Sequence, residues 1–467
     1  MNKKWGLWTL TMFVVGNMVG GGIFMLPANL AKDSGALGST LAWALTGFGV
    51  LMIALVFGNL AIRKPNLKAG PQSYAQSLFK SKKAGKIAGY SMAWGYWAAN
   101  WSATASVIIS FVGYLTTFFP IMQSTNVMMS IGSFQLETGK FFTFAVCTVM
   151  LWGIQWILAG NFNSGGKMNL VATITKVLGF MMFIIITVFA FNAANFGHAA
   201  AFTDANGHAI SLGSQINNAA ISTLWAFVGI ESAVMLSNRA KSQKDVKKAT
   251  LLGLLISMLI YVGITLLTMG ALSQAELRAS QKPLVDALGE VLGVNGQFIL
   301  AALALISLFG STVGWIIVSS EVPYQAAKAG LFPKFFAKSN EKDTPVRSLT
   351  ATNSMTQIFL FSTISGTISE AYDFAIVVAT LAYLIPYLVS VIYQFKLVIT
   401  GETYTSARTR RTDGIITMAA LIYSVWVIVT GTADLKTFFL GIGLFVIGLV
   451  MYPVWMRENR TLKEAWE

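Results

Sequence analysis

Two ionisable residues stand where an apolar chain can least accommodate them. Glu231 interrupts TLWAFVGIESAVMLSN (residues 223–238), and Lys176 interrupts VATITKVLGF (residues 171–180). A charge at mid-membrane costs about 2.5–3.5 kcal/mol on the insertion scale and must face protein or water. An acid held there can exchange a proton. Lys176 lies about nine residues from the cytoplasmic end of its run, so snorkelling to that interface is the competing use of its long side chain. Glycine marks the same depth twice. Gly20, Gly21 and Gly22 follow one another in GNMVGGGIFMLP (residues 16–27), and Gly229 precedes Glu231 by two residues. Such glycines let a helix unwind, freeing N–H and C=O groups that lipid cannot satisfy. A break of this kind is tolerable beside a cavity; close helix packing is the simpler use of small residues. Freed half-helix N-termini hold a carboxylate and freed carbonyls an ammonium, the two groups of an α-amino acid.

The elements that must carry these residues are membrane helices. Of 467 residues, 55% are hydrophobic and only 11% charged, too few charges to solvate a soluble protein of this size. The apolar residues fall into runs of about 18 to 25, the length that crosses a bilayer core. Twelve spans are expected, near 7–31, 37–62, 87–119, 141–159, 168–191, 215–238, 249–272, 296–320, 349–366, 372–395, 413–432 and 437–456. The ninth is the least apolar, but removing it would put the basic loops after it on the wrong side. With the N-terminus inside, cytoplasmic segments hold 27 of the 33 Lys and Arg residues and the opposite side only five, Lys32, Lys140, Arg278, Lys282 and Lys436. Both termini are therefore expected in the cytoplasm.

The same placement argues against reading the formal charge of +14 as a nucleic-acid surface. The single Cys147 lies in an apolar run and allows no intrachain disulfide. His198 and His208 share one polar loop and read as solvated residues, with no metal site expected. No nucleophile motif, nucleotide-binding glycine loop or removable leader is legible, so an enzyme and a cofactor are not expected.

Interrupted spans one and six occupy corresponding positions in two five-span halves, which points to an inverted repeat with a midplane site. GNMVGGGIFMLP, TLWAFVGIESA, GWIIVSSEVPYQAAKAGLFPKFFA and LIPYLVS resemble the first, sixth, eighth and tenth spans of the basic amino acid/polyamine antiporters of the amino acid–polyamine–organocation superfamily. AWGYWAANW and SNRAKSQKDVKKAT are most similar to the arginine/ornithine branch of Gram-positive bacteria. The resemblance covers nearly the whole chain. It implies an all-α membrane protein of twelve helices with a LeuT-like 5+5 inverted repeat: residues 1–191, then 215–395, then two peripheral helices in 413–456. It also implies residence in the cytoplasmic membrane; many relatives are dimers, which makes a homodimer a candidate assembly.

By resemblance, Gly20, Gly21 and Gly22 receive the substrate carboxylate, and carbonyls near Ile23, Trp225 and Val228 receive its amino group. Trp225 and Trp315 cover the aliphatic or cationic part, as indole faces can. Glu231 forms a gate with Tyr96 and Tyr387. Lys176 places its ammonium where sodium sits in coupled symporters. Asn100, Thr104 and Ala379 match the positions that recognise the distal side chain, and none is an acid, so the family does not fix the substrate pair. Exchange of an amino acid for a related one or its decarboxylated amine is the expected function; proton-coupled symport is the alternative, and a channel or nutrient receptor the remote one.

Overall fold

A computed structural model describes residues 4–454 apart from 21, 68–69, 132–133, 197–201, 204–206, 281, 366–367, 432–438 and 440–442. Gly21, His198 and Lys436 thus lie outside the described residues. Helices run α1 (Leu7–Met18), α2 (Gly22–Asp33), α3 (Ala36–Arg63), α4 (Pro71–Leu78), α5 (Lys82–Leu115), α6 (Thr138–Gly160), α7 (Phe162–Thr187) and α8 (Leu212–Ala226). There follow α9 (Ser232–Met235), α10 (Gln243–Ala271), α11 (Gln274–Ala279), α12 (Pro283–Lys328), α13 (Val346–Leu360), α14 (Ser362–Ser365), α15 (Ile368–Thr400) and α16 (Ala407–Gly431). Polar residues set several starts. Ser81, Ser211 and Ser242 accept the N–H three residues on, and Ser273 and Glu276 cap α11 reciprocally, each satisfying a donor that a helix start orphans.

The chain is a predominantly helical membrane protein. Among the described residues, eight helices are long and apolar enough to cross a bilayer, and α1 with α2 makes a ninth as one bent span. Helices α8 and α13, 15 residues each, and the apolar helix Gly443–Val454 are shorter than a full crossing. The expected eighth span lies inside α12, which reverses its backbone at Gly293 (φ 62°). The structure also departs from an all-α chain: strands β1 (Val127–Ile131) and β2 (Phe134–Glu137) pair antiparallel between α5 and α6. That apolar loop segment pairs its own backbone instead of joining a helix.

Large side chains face outward, Trp156 81% and Leu259 74% exposed, which suits lipid but not water. Inward, α5 packs against α12 and α15, α7 against α12, and α10 against α1 and α3. Close approach is built from small residues. A Cβ on Gly253 of α10 would lie 2.5 Å from Val14 of α1.

Charge fastens the outer helix to this core. Asp413 of α16 accepts Arg63 Nε (2.9 Å) and Nη2 (2.6 Å), Asn59 Nδ2 (3.1 Å) and the Tyr404 hydroxyl (3.0 Å). Lys247 of α10 donates to Asn59 Oδ1 at 2.7 Å, so one buried carboxylate links three helices. Asp413→Asn leaves Arg63 without its counter-charge and should cost about 3 kcal/mol. The check is the melting temperature of the detergent-solubilised protein, which falls; an unchanged value would mean the pair contributes no more than a surface contact.

Candidate functional site

Spans one and six break at the same depth, and the breaks touch. Helix α1 ends at Met18 and α2 begins at Gly22. The first-turn N–H groups of α2 have no intrahelical partner and carry the positive end of its dipole. Gly20 is tied back through its N–H to Met18 O at 2.7 Å. Ile23 lies in that first turn, and Pro27 has no N–H to bond its carbonyl, as an ordinary residue four along would. Helix α8 ends at Ala226, and turns carry the chain to α9 at Ser232. Gly229 has φ 107°, and a Cβ there would sit 3.1 Å from both Asn17 C and Met18 N. Only glycine combines that dihedral with that approach. Asn17 Nδ2 adds a bond to Ser232 Oγ at 2.9 Å. Near the N-terminus the same spans pair again, Trp5 N donating to Arg239 O and Lys241 N to Trp5 O, each at 2.8 Å.

Side chains from the surrounding helices satisfy the broken backbone. Lys176 is 2% exposed and does not snorkel to the surface. Its ammonium donates to Gly16 O (2.9 Å), Val19 O (2.6 Å) and Ser311 Oγ, joining α7 to α1 and α12. Glu231 is fully buried. Its carboxylate accepts the Tyr96 hydroxyl of α5 at 2.6 Å, the Tyr387 hydroxyl of α15, and Gly229 N at 3.2 Å. Three donors converge on it, the arrangement that suits an ionised acceptor.

Between the breaks lies a cavity of 20 Å³ whose lining includes Asn17, Gly20, Gly22, Trp225, Val228 and Trp315. It holds about one water. Trp315 closes it, 3% exposed, with Nε1 donating to Asn17 O at 3.1 Å. Asn100, Thr104 and Ala379 are buried but outside that lining. Asn100 Nδ2 donates to Tyr96 O at 2.6 Å. Thr104 donates to Asn100 O at 2.8 Å and lies 3.1 Å from Ser319 Oγ. Trp225 O already accepts Val228 N at 3.1 Å, leaving one lone pair of that carbonyl.

Sequence reasoning did not single out Asn17, Ser232, Ser311, Tyr383 or Glu321. Asn17 was the most legible, a lone amide three residues before the glycine run. Glu321, 1% exposed, receives Arg239 Nη2 at 3.0 Å and so ties the end of span six to α12.

Two unwound helices facing a buried cavity, with an acid and an ammonium seated on them, define a membrane transporter rather than an enzyme. The chain belongs to the amino acid permease family, whose model matches residues 6–454. A Bacillus subtilis (strain 168) protein, provisionally named an arginine/ornithine antiporter, is 56% identical over 99% of both chains. A Pseudomonas aeruginosa arginine/ornithine antiporter is 33% identical, covering 97% of this chain and 90% of its own. A Chlamydia pneumoniae arginine/agmatine antiporter is 31% identical with the same coverages.

Gly229→Ala tests the contact between breaks. Its methyl meets backbone that cannot rotate away, so transport should fall about tenfold or more for a strain of 1–3 kcal/mol. Transport at the wild-type level, at equal protein in the membrane, would mean that the two spans separate at this point.

Proposed function

We propose that this chain exchanges arginine for ornithine, or for a similar cationic amino acid or its decarboxylated amine, across the cell membrane by alternating access. The observation that carries the reading is the meeting of two broken spans at one cavity under Trp225 and Trp315. The relatives' names agree on arginine and differ in the counter-substrate.

On this reading α8 with α9, α13 and Gly443–Val454 complete a set of twelve spans. Residues 1–191 and 215–395 form the inverted repeat, 413–456 the peripheral pair, and both termini face the cytoplasm. The substrate carboxylate sits on the N–H groups of Gly20, Gly21 and Gly22, that of Gly20 giving up its bond to Met18 O, and its amino group sits on carbonyls of Ile23, Trp225 and Val228. Asn100, Thr104 and Ala379 border its side chain. Since 20 Å³ cannot hold an amino acid, Trp225 and Trp315 swing aside to admit one and close over it. Tyr96 and Tyr387 connect that movement to Glu231, and Lys176 takes the place of a sodium ion.

Counterflow is the test: purified protein in liposomes loaded with labelled arginine, challenged outside with amino acids and amines. Ornithine should drive release, and arginine methyl ester, lacking the carboxylate, should do so weakly. Arginine and ornithine carry equal charge, so their exchange should ignore an imposed potential. Agmatine carries one charge more, worth about 2.3 kcal/mol per 100 mV, and its exchange should respond. Choline in place of sodium should change nothing. Equal competition by ester and free acid would overturn the binding mode, and a sodium requirement the role of Lys176.

The burial of Glu231 also favours a second reading, proton-coupled symport. Uptake into liposomes holding no counter-substrate would select it. Under either reading Glu231→Gln should still insert and bind substrate while turnover slows or loses its pH dependence. An unaltered pH profile would make Glu231 a structural acid only.

A further inference from the structure

The substrate's distal end needs polar partners, and two of the three positions that matched motifs suggest, Thr104 and Ala379, are poorly placed to serve. Ala379 has no polar side-chain atom, and the Thr104 hydroxyl already bridges Asn100 O and Ser319 Oγ. Helix α15 offers another group. Tyr383 lies one turn before Tyr387, on the same face of the helix. It is 1% exposed, and its hydroxyl has no hydrogen-bond partner among the described residues. Its ring meets Tyr96 edge-on at 5.4 Å and stands 6.2 Å from both Trp315 and Tyr387. Tyr383 is outside the lining of the closed cavity, but its ring meets that of Trp315, which is part of it. Tyr96 and Tyr387 commit their own hydroxyls to Glu231.

Asn100 provides the complement. Its Nδ2 must face Tyr96 O, which fixes the amide and leaves Oδ1 as a buried acceptor without a partner. Both residues adjoin Tyr96, Asn100 through its amide and Tyr383 through its ring, and each has an oxygen free to accept from a cationic donor, an ammonium or guanidinium. An apolar side chain would leave both oxygens unmatched, and a site of that kind discriminates strongly against the analogue lacking the donor.

We infer that the Tyr383 hydroxyl and Asn100 Oδ1 together recognise the cationic end of the substrate side chain, making Tyr383 a specificity-determining residue. The inference rests on the exchange reading above.

Tyr383→Phe removes one oxygen and keeps the ring. The measurement is inhibition of labelled-arginine counterflow by ornithine and by norvaline, which has ornithine's carbon chain without the amine. In the variant, half-inhibition by ornithine should need about tenfold more solute, the effect of one hydrogen bond to a charged group, while norvaline is unchanged. Should turnover be lost, the shift in melting temperature that each solute induces in the purified variant reads the same ratio without transport. A wild-type ornithine-to-norvaline ratio in the variant, or an equal loss for both, would overturn the assignment of Tyr383. Wild-type protein that exchanges no cationic amino acid would instead overturn the exchange reading.

Discussion

Hydrocarbon supplies no hydrogen bonds, so a helix that unwinds inside a bilayer must find partners for its backbone within the protein. Both unwound spans do so by borrowing side chains from other helices. Lys176 of α7 takes two carbonyls at the end of α1. Trp315 of α12 takes Asn17 O, and Tyr261 of α10 takes Ala226 O. Glu231 receives Gly229 N from within the sixth span and hydroxyls from α5 and α15. The packing order of the helices follows from where these partners must stand.

Some backbone groups at the breaks stay uncommitted, and in the proposed exchange they are what the substrate meets. The amino end of α2 has donors without intrahelical acceptors, and Ile23 has a carbonyl whose usual donor is a proline. A zwitterion supplies both kinds of partner at once. On the proposed reading, binding and helix integrity are coupled: the solute completes a hydrogen-bond set that the fold leaves open, and its departure reopens it. Small movements of Trp315 then suffice to change which groups are covered, because the same indole both caps Asn17 O and lines the cavity.

How much of this was written in the sequence depends on contrast with the surroundings. Glu231, Lys176 and three adjacent glycines stand out in an apolar run; Glu231, Gly20 and Gly22 lie at the breaks, and Lys176 reaches one of them from within α7. Tyr96 and Tyr387 were legible only through motif similarity, since a lone tyrosine in a membrane helix has no contrast. Tyr383 shares that defect. Lys176 illustrates a different limit. Its depth was readable but its direction was not, because snorkelling and burial differ only in the rotation of α7, which neighbouring helices decide. The Arg239–Glu321 pair was masked for a third reason: charges at the end of a span look like topology signals until a partner helix covers them. The expected spans 215–238 and 349–366 were legible as apolar runs, but not that their helices α8 and α13 stop at 15 residues each, and the hairpin from Val127 to Glu137 was missed because periodicity over a few residues is ambiguous.

The contacts between spans one and six bear on how the molecule moves. They are joined near the N-terminus by Trp5 with Arg239 and Lys241, at the breaks by Gly229 against the Asn17–Met18 peptide, and again by Asn17 to Ser232. Two rods fastened at separated points cannot rotate independently. The pair therefore contributes one mechanical degree of freedom to the cycle, and a spectroscopic label on either rod should report the same trajectory.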